Sequence, residues 1–305
     1  MQDGLIVKAL SGFYYVQPEG GGDVVACRAR GLFKKQGLSP LVGDRVRFEA
    51  KNDGSGDGTV VELMPRSTEL ARPPIANCDT ALIVFAVARP DLNRTLLDKF
   101  LTLAELAGLE SILCLTKADL LDGDGDDAAE LRGRMEELRK TYEAIGYPVY
   151  FTSARAGTGA DELRGALQGR IAVVAGQSGV GKSSLLNRLA PGLTLETNEI
   201  SEKLGRGKHT TRHVELFRVG ENGLLADTPG FSSLEFPEDV EPEDVARAFP
   251  EFVRLSEGCK FRGCLHLKEP GCRVRQAVEN GEADAERYDH YAAFATELRE
   301  RKRRY

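Results

Sequence analysis

Short segments of alternating apolar and polar residues occupy the first 65 positions of the chain. They are residues 5–10, 14–16, 24–30, 45–49 and 59–63, and turns rich in Gly and Asp separate them. Alternation with a period of two is typical of strands with one buried face, and no helical pattern lies between these segments. The pattern predicts a small five-stranded β-barrel over residues 1–70, and the oligonucleotide/oligosaccharide-binding (OB) fold is the commonest module of this kind.

Residues 64–76 contain three prolines and no periodicity, which predicts a linker. Beyond Asn77 the pattern changes to apolar runs that alternate with helical segments, which predicts a doubly wound α/β domain over residues 71–236. A smaller domain is expected over residues 237–305. The predicted strands are 81–88, 111–115, 148–151, 170–175, 214–219 and 223–226, and the predicted helices are 95–107, 128–145, 161–167, 184–190 and 282–298.

Composition is that of an ordinary globular protein, with 305 residues, a formal net charge of −6 and 29% charged residues. The apolar run Ala81 to Ala88 is too short to cross a bilayer, and the N-terminus lacks the basic and apolar regions of a signal peptide, so we expect a cytoplasmic protein without a membrane partner.

Basic and aromatic side chains on the barrel suit RNA, but a solvated rim with core aromatics explains them equally. These residues are Lys8, Phe13, Tyr14, Tyr15, Arg28, Arg30, Phe33, Lys34, Lys35, Arg45 and Arg47.

The stretch GQSGVGKS between a predicted strand and a predicted helix matches the phosphate-loop pattern Gly-x4-Gly-Lys-Ser/Thr. Glycines let successive backbone N–H groups point at a phosphate, and the helix N-terminus adds positive partial charge. Lys182 is predicted to neutralise phosphate charge, and the Ser183 hydroxyl to ligate Mg²⁺. The predicted phosphate-binding residues are Gly176, Gln177, Ser178, Gly179, Val180, Gly181, Lys182, Ser183 and Ser184.

Two further motifs follow strands of the same predicted sheet. Thr116-Lys117-Ala118-Asp119 places a carboxylate where it can accept hydrogen bonds from the N1–H and exocyclic amine of guanine, a pattern that adenine does not offer. Ser153 and Ala154 follow the next strand, and this turn is predicted to present N–H groups to the guanine O6. Together with the phosphate loop, these motifs predict a GTP/GDP site, with a generic ATPase as the competing interpretation.

A long polar segment, 191–213, and the turn Asp227-Thr-Pro-Gly230 follow the phosphate-loop helix. An Asp at a strand end can hold Mg²⁺ through water, and Gly230 lets its N–H approach the γ-phosphate. The segment also contains Thr211, a predicted catalytic residue and Mg²⁺ ligand. Loops of this length are uncommon unless they are functional, and both parts are ones that a γ-phosphate would order.

Three cysteines and one histidine lie within fourteen residues near the C-terminus. Cys259, Cys264, His266 and Cys272 provide three thiolates and an imidazole, which is the ligand set of a closed structural zinc site. Because all four positions are filled by protein, the zinc is predicted to stabilise the fold and not to catalyse.

The order of these motifs carries a resemblance. The guanine motifs precede the phosphate loop, whereas in conventional GTPases they follow the Asp-x-x-Gly turn, so the chain resembles a circularly permuted GTPase. With a barrel in front and a Cys/His cluster behind, it is similar over essentially its whole length to the small ribosomal subunit biogenesis GTPase family. One departure is Thr116, where most GTPases carry Asn; we expect this change to affect affinity more than guanine selectivity.

The resemblance implies late maturation of the small (30S) ribosomal subunit through contact with its 16S rRNA, with GTP hydrolysis stimulated by that particle. Phe231 follows the Asp-x-x-Gly turn and cannot orient water, so His209, the matching family residue, is the expected water-positioning group. An exposed loop His that contacts RNA phosphate stays an alternative, as does a GTP-gated RNA-binding scaffold with incidental hydrolysis. We expect a monomer when free, and a zinc domain that nucleotide state reorients through the Asp227–Gly230 turn.

Overall fold

A computed structural model describes residues 1–35, 37–50, 57–71, 73–190, 214–229 and 234–303. Residues 34, 227–229, 302 and 303 are described by their backbone alone. No helix in these ranges is long and apolar enough to cross a membrane.

The N-terminal region is a closed barrel in the strand order β1-β2-β3-β5-β4. Its strands are β1 Gln2–Leu10, β2 Phe13–Pro18, β3 Val25–Ala29, β4 Arg45–Ala50 and β5 Asp57–Leu63, and the short helix α1 Gly31–Lys35 follows β3. Alternate side chains such as Ile6, Val16 and Phe48 point inward and are fully buried, as a period of two requires. The predicted barrel is confirmed.

Residues 64–71 and 73–76 are packed against the rest of the chain and do not form a free linker. They contain a hairpin of β6 Glu69–Ala71 and β7 Pro74–Ala76, in which Ile75 is fully buried. The Arg66 guanidinium binds the buried carboxylate of Asp44 in the barrel through contacts of 2.7 and 2.8 Å. The linker prediction failed because this long-range ion pair, which proline content does not reveal, fixes the segment on the barrel.

The central sheet has the order β10-β9-β8-β11-β13-β12 and is parallel except for the edge strand β12. Its strands are β8 Thr80–Ala86, β9 Glu110–Thr116, β10 Val149–Phe151, β11 Ile171–Ala175, β12 Leu216–Val219 and β13 Gly223–Pro229. The helices are α2 Arg94–Leu106, α3 Asp126–Ile145, α4 Ala160–Ala166 and α5 Lys182–Leu189, with a 3₁₀ turn at Ala118–Leu121. Every residue of β8 is buried, as expected for a central strand covered on both faces. The doubly wound prediction is confirmed.

The C-terminal region consists of α6 Pro242–Arg247, α7 Pro250–Ser256, α8 Arg273–Glu279 and α9 Ala285–Arg303. Aromatic rings form its core: Phe249 and Phe252 stack at 5.3 Å, and Tyr291 meets both edge-on at 5.2 and 5.4 Å. Leu103 of α2 belongs to the same cluster. The C-terminal core is therefore continuous with a helix of the central domain.

A buried polar network joins these two regions. Asp98 of α2 is fully buried and pairs with Arg287 of α9, which is 1% exposed. The same carboxylate accepts a hydrogen bond from the Tyr142 hydroxyl at 2.8 Å and lies 2.6 Å from His290 Nδ1, while Arg287 also binds Glu251 at 2.5 Å. A buried charge is costly unless it is paired, so these contacts fix α9 on α2.

Candidate active site

The phosphate loop lies at the carboxyl edge of the sheet, between the end of β11 and the start of α5. Gly176 has φ +147°, and a Cβ there would lie 2.1 Å from the Val84 carbonyl oxygen. Gly181 caps α5 with φ 91°. Only glycine fits at position 176, because the loop passes directly beside the backbone of β8 there. The loop therefore brings backbone N–H groups to the N-terminus of α5, where an anion is favoured.

Lys182 and Ser183 open α5, as the motif predicts. The Lys182 ammonium donates to the carbonyl oxygens of Gly176 at 2.9 Å and Gln177 at 2.6 Å. Burial lowers the pKa of Lys182 to about 8. Ser183 is buried, and the side-chain oxygen of Gln177 is buried without a hydrogen-bond partner among the described residues. The loop thus holds a half-buried cation that, among the described residues, is met by carbonyl oxygens and by no carboxylate, which suits a polyphosphate.

A cavity of about 330 Å³ opens beside this loop. The Thr116 hydroxyl, at its wall, donates to the Val180 carbonyl, and Lys117 Nζ donates to the Gly179 carbonyl at 3.0 Å. The guanine motif and the phosphate loop are therefore bonded to each other directly. The cavity is lined by Arg89, Thr116, Lys117, Asp119, Leu120, Thr152, Ala154, Arg155, Gly181, Ser184 and Leu185.

Asp119 is held in place by a serine of the neighbouring turn. The Ser153 hydroxyl donates to Asp119 Oδ1 at 2.5 Å and accepts a hydrogen bond from the Ala156 N–H at 3.0 Å. Ser153 is only 2% exposed, so it lies behind the carboxylate. The left-handed conformation of Lys117, with φ 59°, turns the chain between Thr116 and Asp119 so that both reach the cavity. A carboxylate fixed in this way can read hydrogen-bond donors on a base.

Most predicted nucleotide-site residues come together at this edge. Thr116, Lys117, Asp119 and Ala154 line one cavity with part of the phosphate loop, whereas Ala118 only joins the strand ends through a hydrogen bond from its N–H to the Thr152 carbonyl. His209, Thr211 and Gly230 lie outside the described residues, and of Asp227 only the backbone is described.

Sequence reasoning missed some of the lining residues. Arg89 follows the end of β8, and its carbonyl accepts a hydrogen bond from Lys117 Nζ. Arg155 comes directly after the Thr152–Ala154 turn, and both arginines line the cavity. The rule that ligands bind at the carboxyl ends of parallel strands would have identified Arg89 once β8 was assigned.

The predicted zinc ligands cluster in the C-terminal region. All four ligand atoms lie within 4.8 Å of one another, and His266 offers Nδ1, at 3.4 Å from Cys272 Sγ and 3.7 Å from Cys259 Sγ. The sulfurs of Cys259 and Cys272 are 4.0 Å apart. Tetrahedral Zn²⁺ with bonds of about 2.3 Å places its sulfurs about 3.8 Å apart. The cluster therefore fits a structural zinc ion.

A carboxylate orients the loop that carries the histidine ligand. Glu269 accepts hydrogen bonds from the N–H groups of Leu265 at 3.2 Å, Leu267 at 2.8 Å and Lys268 at 3.0 Å. The Tyr288 hydroxyl donates to the His266 carbonyl at 2.7 Å. His266 has φ 56°, an uncommon conformation for a residue other than glycine, and these contacts hold it there.

Comparisons with known proteins agree with this architecture. A family model described as RsgA GTPase matches residues 63–237, and one described as RsgA N-terminal domain matches residues 3–57. The small ribosomal subunit biogenesis GTPase RsgA of Shouchella clausii is 53% identical over 305 residues, and the protein of that name from Bacillus subtilis is 51% identical over 308; each match covers 100% of both chains.

Two solved structures are similar over nearly the whole chain. The crystal structure of YloQ, described as a circularly permuted GTPase, gives a TM-score of 0.84 at 45% identity, covering 99% of this chain and 96% of that one. YjeQ from Thermotoga maritima gives 0.83 at 38% identity, covering 97% and 98%. The permuted motif order, the barrel and the Cys/His cluster thus occur together in a chain that belongs to the RsgA GTPase family.

Proposed function

We propose that this GTPase binds the small ribosomal subunit, contacts its 16S rRNA, and acts in late maturation of that subunit in the cytoplasm, as a monomer when free. The relatives named as small ribosomal subunit biogenesis GTPases support the partner. The observation that carries the enzymatic part is the direct bonding of Thr116 and Lys117 to the phosphate loop. One continuous site can thereby hold a guanine base and its phosphates.

We assign roles to individual residues within that proposal. Asp119 reads guanine, Ala154 presents its N–H to the base, and the loop from Gly176 to Ser184 holds the phosphates. Lys182 supplies positive charge to the β- and γ-phosphates. Mg²⁺ is expected on Ser183 and, from parts of the chain outside the described side chains, on Thr211 and Asp227.

The attacking water must be positioned by a group near the γ-phosphate, and His209 is the proposed group, with Gly230 on the phosphate. This assignment rests on the family resemblance, because both residues lie outside the described ranges. We propose that Cys259, Cys264, His266 and Cys272 hold a structural zinc ion. We also propose that the chain divides into three domains, at residues 1–70, 71–236 and 237–305.

A GTPase assay titrated with purified small subunits tests the proposal. We expect subunits to raise the turnover number of the wild type, and His209→Ala to abolish this stimulation while GDP affinity is unchanged. Full stimulation of His209→Ala would remove that residue from the mechanism. Turnover that subunits never change, together with GTP-dependent binding, would instead identify an RNA-binding scaffold.

A further inference from the structure

A second cavity, of about 330 Å³, lies beside the zinc ligands and far from the nucleotide motifs in sequence. It is an open cleft bordered by α6, α7 and the loop that carries Cys264 and His266. The cavity is lined by Glu243, Ala246, Arg247, Val253, Ser256, Phe261, Arg262, Gly263, Cys264, Leu265 and His266. Because the zinc ligands form part of its wall, its shape depends on the metal-bound loop.

Two apolar side chains at this cavity are unusually exposed. Phe261 is 45% exposed and Val253 is 43% exposed, whereas the neighbouring rings of Phe249, Phe252 and Tyr291 are fully buried. Lys260 Nζ lies 5.5 Å from the centre of the Phe261 ring. An exposed phenylalanine at the edge of a cavity offers a flat surface on which a nucleobase can stack.

The charges around Phe261 favour a polyanion. Lys260, which lies over the Phe261 ring, and Arg262, which lines the cavity, form no ion pair with any residue that the structure describes. Among the described lining residues, Glu243 is the only carboxylate, and Arg247 is bound to Asp244. The segment that carries the zinc ligands, residues 259–272 (the zinc loop), therefore keeps positive charge beside an exposed aromatic ring.

The barrel differs in this respect. Several of the basic residues that the sequence suggested for RNA contact are neutralised by acidic neighbours. These ion pairs are Lys8–Glu215 at 2.7 Å, Arg45–Glu19 at 3.2 Å and Arg47–Asp3 at 3.2 Å. Phe33, a proposed stacking residue, is 7% exposed and belongs to the core. The arrangement thus favours the zinc loop over this part of the barrel as a place where a base can stack.

We infer that the cavity beside Phe261 holds an unstacked nucleobase of small-subunit RNA, with the base on the Phe261 ring and the flanking phosphates near Lys260 and Arg262. Single-stranded RNA is recognised in this way, through bases stacked on aromatic side chains and phosphates bound by basic ones. The inference rests on the proposed binding to the small subunit. It adds which surface of the zinc-binding region makes the contact, and through what chemistry.

Equilibrium binding of the full-length protein to purified small subunits tests the inference, with the GTP analogue and zinc held constant. Phe261→Ala removes the ring, Phe261→Leu keeps apolar bulk without a ring, and Phe261→Tyr keeps the ring. Val24→Ala is the matched control, because Val24 is also 45% exposed but lies in the barrel region. Zinc content and GTP turnover without subunits are measured for each variant.

We expect Phe261→Ala and Phe261→Leu to bind subunits about 5- to 100-fold more weakly, since stacking on one aromatic side chain is worth that order of affinity. Phe261→Tyr and Val24→Ala should bind like the wild type. Chemical probing of the RNA in both complexes should reveal a base that the wild type protects and Phe261→Ala leaves reactive.

Three results would overturn the inference. Unchanged affinity of Phe261→Ala would exclude a role for the ring, and an equal loss in Val24→Ala would show that the effect is not specific to this cavity. Wild-type affinity of Phe261→Leu with no change in RNA protection would indicate an apolar contact with a protein instead. In each of these cases the proposed function stands, whereas failure of the wild type to bind subunits would overturn the proposed function itself.

Discussion

The protonation of Lys182 should make nucleotide affinity depend on pH. Its ammonium group donates to the carbonyl oxygens of Gly176 and Gln177 at 2.9 and 2.6 Å, and burial lowers its pKa to about 8. Phosphate oxygens placed beside the ammonium group favour its charged form. Nucleotide binding is therefore expected to raise the pKa of Lys182. At pH values where Lys182 of the free protein is partly deprotonated, binding should then be accompanied by uptake of a proton.

The size of the effect follows from the pKa. With a value of about 8 in the free protein, the charged fraction of Lys182 is about nine tenths at pH 7, one half at pH 8 and one tenth at pH 9. If only the charged form binds, affinity falls about tenfold between pH 7 and pH 9. The sign is fixed, because a group whose pKa rises on binding weakens binding as the pH increases through its lower pKa.

Calorimetric titration with magnesium–GDP at pH 8 measures this proton directly. Two buffers with different ionisation enthalpies should give different apparent binding enthalpies, corresponding to uptake of about half a proton per site. Phosphate groups contribute little at this pH, because their last ionisation lies near pH 6. Affinities measured from pH 7 to pH 9 give an independent value.

The variant Lys182→Arg is the control, since a guanidinium group stays charged throughout this range. It should bind magnesium–GDP without proton uptake at pH 8, even if its affinity is lower. Wild-type affinity that stays constant from pH 7 to pH 9, with the same binding enthalpy in both buffers, would refute the assignment of a low pKa to Lys182.

Three further substitutions test other parts of the structure. Asp119→Asn should change the ratio of xanthine to guanine nucleotide affinity by on the order of 100-fold or more, and an unchanged ratio in a competition assay would show that Asp119 does not read the base. Glu269→Gln should weaken zinc binding by about 10- to 100-fold in a chelator competition, because the histidine loop loses its carboxylate, and wild-type affinity would contradict this role. Arg287→Ala should lower the free energy of unfolding by about 3 kcal/mol or more in urea, because it leaves the Asp98 carboxylate buried without its cation. The exposed ion pair of Arg139 is the control, since Arg139→Ala should cost less than about 1 kcal/mol; equal effects of the two changes would argue against a buried network.

Local patterns predicted the parts of the site that have fixed spacing. The phosphate loop, the Thr116–Asp119 motif and the Cys/His cluster each need particular residue types at particular separations, and the structure joins the first two in one site. Strand alternation likewise predicted the barrel, because the period of two follows directly from backbone geometry.

Features that depend on distant contacts escaped prediction. Arg66 looks like a surface residue in a proline-rich segment until its contact with Asp44 is seen. Helices α6, α7 and α8 are six or seven residues long, too short for an amphipathic period to be distinctive. Arg287 and Asp98 are 189 positions apart, so nothing near either residue identifies its partner.

The buried network around Asp98 also limits how far the zinc-binding region can rotate relative to α2 when the bound nucleotide changes. Rotating this region away from α2 would separate Asp98 from Arg287 and His290, and it would also expose Leu103 and the apolar residues that pack with it in the C-terminal core. We therefore expect α2 and α9 to move together, contrary to a free reorientation through the Asp227–Gly230 turn. The loop before α2 carries Arg89, whose carbonyl binds Lys117 at the nucleotide cavity, so a shift of that loop would move both helices as one unit. The distance between one spin label on α2 and another on α9 can be measured in the GDP and GTP-analogue complexes. A difference between the two complexes would contradict the joint movement of the two helices.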